Sequence, residues 1–208
     1  MIHTVIFDVD GTLADSAVLT VAALARFAPE YGLPVPAKDA VKRATGYQNP
    51  EFYYRLFPDA PRDIVDIVGA LVEQEELRLL PSVSGSLLFK DCRELLEGLR
   101  KRGVRLYIAS TGSYEHIHSI LAVTGIAGLF EQVCCGRPDK VEMLRELSRE
   151  GGKDGYIMVG DMKKDCDGAR ANGMTSVGAC WGYCLREQTA FDLYAGSPPE
   201  LLKMMDTL

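Results

Sequence analysis

Short runs of consecutive apolar residues recur along the chain at 4–7, 104–109, 132–135, 156–159 and 176–179. Runs of this length suit strands buried on both faces, as in a parallel sheet. Most are separated by segments with apolar residues at helical spacing, at 90–101, 115–124, 141–149 and 166–172. These are followed by glycine at 103, 125, 151–152 and 173. Glycine just past the last periodic residue is a common helix stop, because it takes a left-handed backbone without a Cβ clash. Strands alternating with helices imply right-handed crossovers. The predicted fold is α/β: a doubly wound, mostly parallel, Rossmann-like sheet.

Between 15 and 84 the rhythm changes, with helical patterns at 17–31, 37–44, 51–56 and 62–80 and no convincing strand. Pro34, Pro36, Pro50, Pro58 and Pro61 punctuate these helices, and 81–85, from Pro81 to Gly85, reads as a return hinge. The expected organisation is therefore a core of 1–14 and 85–208 with a helical cap domain at 15–84. A module inserted just after the first strand would sit over the carboxyl ends of the sheet, where a lid can exclude water and touch substrate.

Composition narrows the function. The 208 residues, 47% hydrophobic and 25% charged, are ordinary for a soluble globular protein. A net charge of −6 with no Lys/Arg-rich stripe argues against nucleic acid as partner. No apolar run approaches a membrane span and no early stretch has the form of a signal peptide, so the cytoplasm is the expected location. Cys92, Cys134, Cys135, Cys166, Cys180 and Cys184 include no C-x-x-C pair, and reduced thiols are expected. Cys166 directly follows an acidic motif, where its oxidation would disturb a site.

That motif, Gly160-Asp161-Met162-Lys163-Lys164-Asp165, follows the fourth apolar run, and Asp8-Val9-Asp10-Gly11-Thr12 follows the first. Carboxylates at i and i+2 near a strand end share a face and repel unless a cation lies between them. A hard divalent metal held by oxygens is the usual remedy. In open α/β sheets the carboxyl ends of strands are where ligands bind, so the two acidic groups are expected to converge there. The second strand ends in Ser110-Thr111-Gly112-Ser113, small hydroxyl residues that lead into a helix and suit phosphate oxygens. Ser113 reads as that helix's N-cap. His3, His116 and His118 have no clustered partner in sequence and are expected to be structural or exposed.

Together these motifs, in this order, resemble the haloacid dehalogenase superfamily, specifically its helical-capped phosphatases of the phosphoglycolate phosphatase type. Trp181-Gly182-Tyr183 and Ser197-Pro198-Pro199-Glu200-Leu201-Leu202 are similar to that group's carboxyl-terminal pattern. The resemblance implies Mg²⁺-dependent hydrolysis of a small phosphorylated metabolite, a phosphomonoester, through an aspartyl-phosphate. By it, Asp8 is the nucleophile and a Mg²⁺ ligand. Asp10 is the acid and base, with its backbone carbonyl on the metal, and Asp161 is the further metal ligand. Ser110, Thr111 and Gly112 hold the phosphoryl group, and Asp165 either bonds a metal-bound water or the catalytic lysine, or serves only as a helix-start acid.

The lysine has two candidate slots. Many relatives place it directly before proline, where this chain has Arg137, whereas Lys140 opens the next helix as in another branch. Lys140 is preferred, because an ammonium is a compact, mobile point charge. A β-phosphoglucomutase-type phosphomutase and a non-catalytic binding or regulatory protein remain alternatives, while a dehalogenase has no need of Asp10. Oligomeric state is left open. In the cap, Arg43, Tyr47 and Gln48 flank Gly46 and are candidates to reach a substrate carboxylate or sugar.

Overall fold

In the computed structural model, which describes residues 2–83, 85–148 and 155–208, six parallel strands form one sheet. These are β1 (Thr4–Phe7), β2 (Arg105–Ser110), β3 (Gln132–Cys135), β4 (Tyr156–Gly160), β5 (Thr175–Ala179) and β6 (Leu193–Ala195). They lie in the order β3-β2-β1-β4-β5-β6, so the strand sequence reverses beside β1. The chain leaves β1 into α1 (Ala17–Phe27), α2 (Lys38–Ala44), α3 (Glu51–Leu56) and α4 (Arg62–Val83). It then runs through α5 (Cys92–Lys101), α6 (Tyr114–Val123), α7 (Lys140–Leu147), α8 (Lys163–Ala171) and α9 (Pro198–Met204) between and after the remaining strands.

The period of two along each strand divides the core. Val5 and Phe7 pack with Leu95, Leu99 and Ile120, from α5 and α6, on one face. Ile6 points the other way, to Met143 and Leu144 of α7. With both faces covered, every residue of β1 is buried, which is why it reads as an unbroken apolar run.

The helices of 15–83 have a core of their own, with Leu24, Val41, Tyr53, Phe57, Val65, Val68 and Val72 in one cluster. Gly69 makes room for the Tyr53 ring, which a Cβ there would meet at 2.7 Å. Two antiparallel backbone bonds tie the crossings to this bundle together: Asp15 N to the Leu87 carbonyl and Leu13 carbonyl to Phe89 N, both 2.9 Å. Tyr183 adds a third tie, donating to Asp15 Oδ1 (2.6 Å) and accepting from Ala17 N (2.9 Å). Tyr183→Phe leaves Asp15 with Lys38, 2.7 Å away, but strands the buried Ala17 N–H. The expected loss is about 1–3 kcal/mol of stability, read as a lower urea midpoint at unchanged m.

Several boundaries differ from expectation. Strand β6 is not predicted, because three edge residues, two half-buried and one buried, are too few to carry a periodic signal. Helix α8 begins three residues before 166, since Asp165 accepts from the backbone N–H groups of Asp161 (3.2 Å) and Met162 (2.9 Å) and so caps a start made of polar residues. Helix α4 continues through Pro81 to Val83, so the hinge does not begin at Pro81. In the final turn a missing N–H removes one bond without a long helix beyond it to break. Pro29 converts the end of 17–31 into a 3₁₀ turn, Ala28–Tyr31, closed by Gly32 at φ 72°. Asp91 takes φ 64°, so α5 starts at Cys92 rather than at 90. Ser84 and the expected helix stop at 149–152 lie outside the described residues. Among the described residues no helix is long and apolar enough to cross a membrane.

Candidate active site

Asp8 extends β1 by one residue, and its N–H bonds the Val159 carbonyl of β4 at 2.9 Å, setting the two acidic strand ends side by side. The loop after it is held closely. Gly11 turns at φ 80°, where a Cβ would lie 2.5 Å from Asp161 Oδ2. Thr12 Oγ1 donates to Asp161 Oδ1 (2.8 Å), and Trp181 Nε1 donates to the Thr12 carbonyl (2.8 Å). The carboxyl-terminal Trp-Gly-Tyr segment thus fixes the acidic turn from behind.

Asp8, Asp161 and Asp165 each bring a carboxylate oxygen within 4.8 Å of the others, and all three are buried. Burial, with the neighbouring Asp8 and Asp165 charges, raises the Asp161 carboxyl well above the usual range. Burial also pushes Asp8 up to about 7 against the pull of Lys140. Asp161 Oδ2 is buried with no hydrogen-bond partner. A fully buried carboxylate oxygen left unpaired among other carboxylates is costly unless a cation completes it. The donor set, all hard oxygens, fits Mg²⁺.

Lys140 opens α7, buried beneath Asp8. Its Nζ lies 2.8 Å from Asp8 Oδ1 and 2.9 Å from Asp165 Oδ1, and it also donates to the Ala109 carbonyl. Burial alone would lower this ammonium; the two carboxylates outweigh it and hold it above the usual lysine range. Arg137 instead pairs at the surface with Glu146 (2.6 Å). Asp165 therefore does two things at once, with one oxygen on Lys140 and the other on the turn of 161 and 162.

Ser110, Thr111 and Gly112 complete the floor. Ser110 Oγ accepts from Gly112 N (3.1 Å), and a Cβ on Gly112 would lie 3.3 Å from Asp10 Oδ2 and 2.9 Å from Ile117. Ser113 caps α6, accepting from His116 N at 3.3 Å. A loop of the helical bundle crosses onto this floor: Gln48 Nε2 donates to the Thr111 carbonyl (3.1 Å), and the Thr111 hydroxyl to that of Gly46 (3.4 Å).

His116 is where the sequence reading falls short. It is no bystander: Nε2 is 2.9 Å from Asp10 Oδ1, and Nδ1 is 4.0 Å from Glu76 Oε2 on α4. Burial pushes Asp10 up, but the adjacent His116, helped by Ser16, brings it net below its usual value. Burial also opposes charge on His116, yet Asp10 and Glu76 raise it to about 9, while Glu76 itself is pushed to about 7 by burial. The available signal is position: a histidine three residues after an N-cap, in the first turn leaving a hydroxyl-rich loop. His118 stacks on Tyr114 (3.9 Å) and His3 bonds Thr4 (2.8 Å), both away from the acids. Cys166 packs with Cys184 and Phe191.

A cleft of about 600 Å³ opens above Asp8 and Asp10, between the Ser110–Gly112 turn and the inner side of α4. Arg43 is not in it, lining instead a separate cleft with Lys42, Lys163 and Tyr183. The β1 end thus delivers Asp8 and Asp10, and the β2 end a hydroxyl loop, to one cleft over a buried lysine, with Asp161 of the neighbouring β4 end buried beside Asp8. That defines an α/β enzyme-like centre for an anionic ligand and a cation.

Residues 5–179 match the model of the haloacid dehalogenase-like hydrolases, and the chain belongs to that family. It is 33% identical to a phosphoglycolate phosphatase of Synechococcus elongatus over 97% of this chain and 92% of the relative. A phosphoglycolate phosphatase of Pseudomonas putida is 27% identical over 86% of this chain and 70% of its own length. A solved haloacid dehalogenase-like hydrolase of Streptococcus pneumoniae superposes with a TM-score of 0.83 over 98% of both chains, at 22% identity, and shares the fold.

Proposed function

We propose that this protein is a Mg²⁺-dependent phosphatase of small phosphomonoesters, similar to the phosphoglycolate phosphatases, working through an aspartyl-phosphate. The observation that carries it is the environment of Asp8: a carboxylate at the floor of an open cleft, with Lys140 at 2.8 Å and the unpartnered Asp161 Oδ2 among the adjacent acids. Residues 1–14 and 85–208 act as the catalytic core, and 15–84 as its cap. Asp8, Asp161 and the Asp10 backbone carbonyl would hold Mg²⁺, which when bound offsets the repulsion between a carboxylate and a phosphate dianion.

In this reading an Asp8 oxygen attacks phosphorus as the ester P–O bond breaks, and the proton shared between His116 and Asp10 passes through the Asp10 carboxyl to the leaving alkoxide. Asp10 then takes a proton from water, which attacks the same phosphorus and frees phosphate with Asp8 restored. His116, 2.9 Å from Asp10, orients that carboxyl. Ser110, Thr111 and Gly112 hold the phosphoryl oxygens, and Lys140, fixed by Asp165, neutralises charge as it passes to them. The six free cysteines suit a reducing cytoplasm.

The test is inorganic phosphate release from phosphoglycolate, nucleoside monophosphates and hexose phosphates, with Mg²⁺ and with EDTA. Turnover without any bisphosphorylated activator, lost in EDTA and restored by Mg²⁺, is expected, and excludes the mutase. Absence of phosphate release from every compound would overturn the proposal.

A further inference from the structure

Resting on the phosphatase reading, we infer that the alcohol half of the substrate carries hydrogen-bond donors and no second anionic group, and that Glu73 and Glu76 of α4 read it. The same cleft that exposes Asp8 continues away from the phosphoryl floor along α4. Glu76 stands on its inner wall, only 8% exposed, accepting from Thr20 and facing His116 at 4.0 Å. Glu73, one turn earlier, lines the same wall and accepts from Asn49. Among the described residues, none of those lining the cleft is lysine or arginine.

The cations nearby are engaged elsewhere. Lys140 lies under the phosphoryl position, on Asp8 and Asp165. His116 is taken by Asp10. Arg55 and Lys164 lie over the Tyr47 ring at 3.7 and 5.0 Å, Arg55 also pairing with Glu51, and Arg43 lines the separate cleft. A carboxylate or second phosphate on the leaving alcohol would therefore meet the Glu73 and Glu76 side chains with no cation to spare, since the one histidine among the described residues of this wall, His116, is already flanked by Asp10 and Glu76. Like charges so placed repel, most strongly at the buried Glu76, and like-charge juxtaposition is a strong basis for rejecting a ligand. Hydroxyl or ammonium donors would instead meet two acceptor side chains, and rejection of a competitor lacking such donors is the larger effect. Shared family membership with phosphoglycolate phosphatases does not extend to a built carboxylate site here.

The experiment compares kcat/KM of the Mg²⁺-loaded full chain for phosphoglycolate, glycerol 3-phosphate and ethanolamine phosphate, the last two separating hydroxyl from ammonium recognition. At least one donor-bearing ester is expected to exceed phosphoglycolate by 10-fold or more. Glu73→Lys, at an exposed rim position, is expected to shift the ratio at least 10-fold towards phosphoglycolate, chiefly through KM, and Glu73→Gln to shift it part-way. Phosphoglycolate preferred by the wild type, or a ratio unmoved by Glu73→Lys, overturns the inference while leaving the phosphatase reading intact. No Mg²⁺-dependent release from any of the three, nor from p-nitrophenyl phosphate, overturns both.

Discussion

Asp8→Asn is expected to abolish phosphate release, by roughly 10⁴-fold or more, without unfolding the protein. The amide oxygen is neutral and lacks the electron pair density to displace an alkoxide at phosphorus, so the covalent route closes rather than slows. The fold is expected to survive because the substitution removes one of two carboxylates on Lys140, and Asp165 stays 2.9 Å from Nζ. It also relieves a burial cost, evident in an Asp8 carboxyl pushed up to about 7. The main-chain N–H at this position still meets the Val159 carbonyl, since that bond involves backbone atoms only. Phosphate release and a thermal melt on the same preparation check both halves: residual turnover above a tenth of wild type would remove Asp8 from the nucleophile's role, and a collapsed melt would show that the carboxylate is structural.

How much of this is legible in the chain depends on how local each feature is. The acids at 8, 10 and 161 and the hydroxyl loop at 110–112 sit at or just past the ends of apolar runs, with Asp165 four residues beyond Asp161, so strand-end geometry predicts their convergence. The choice between Arg137 and Lys140 is different in kind. It depends on where α7 begins: Asp139, as N-cap, accepts from Val141 N at 2.8 Å, which puts Lys140 on the turn facing the sheet and leaves Arg137 outside with Glu146. The Asp10, His116 and Glu76 chain joins three segments far apart in sequence, and only the docking of α4 against α6 creates it. The same docking decides selectivity, because helical periodicity in α4 marks which residues are apolar but not which carboxylates look into a cleft. Glu75 illustrates this: next to Glu76 in sequence, it faces away and pairs with Arg26 (2.8 Å) and Arg78 (2.6 Å).

Asp161→Asn separates stability from activity in the opposite direction. In the wild type, Asp161 is fully buried, its Oδ1 bonded by the Thr12 hydroxyl and its Oδ2 bonded by nothing, with carboxylate oxygens of Asp8 and Asp165 within 4.8 Å. An arrangement that repels itself persists only if it serves a ligand, and natural sites commonly give up stability in this way. The amide keeps an acceptor for Thr12 and turns the orphaned oxygen into an N–H₂ donor beside two acceptors. In metal-free buffer the variant is expected to be more stable than wild type by about 1–2 kcal/mol, a rise of roughly 2–8 °C in Tm for a chain of this size. Added Mg²⁺ reverses the order: at 100-fold over its Kd it stabilises the wild type by about 2.7 kcal/mol, and the variant by much less. Turnover falls by at least roughly 10²-fold, because charge on the transferring phosphoryl group is no longer offset. Asp161→Ala is the control, since it strands the buried Thr12 hydroxyl and so lacks the metal-free gain. Calorimetry of the three proteins with and without Mg²⁺ distinguishes the cases: a variant less stable than wild type in metal-free buffer would mean that Asp161 is held by interactions other than a cation, and that the acidic cluster is a structural feature of the turn.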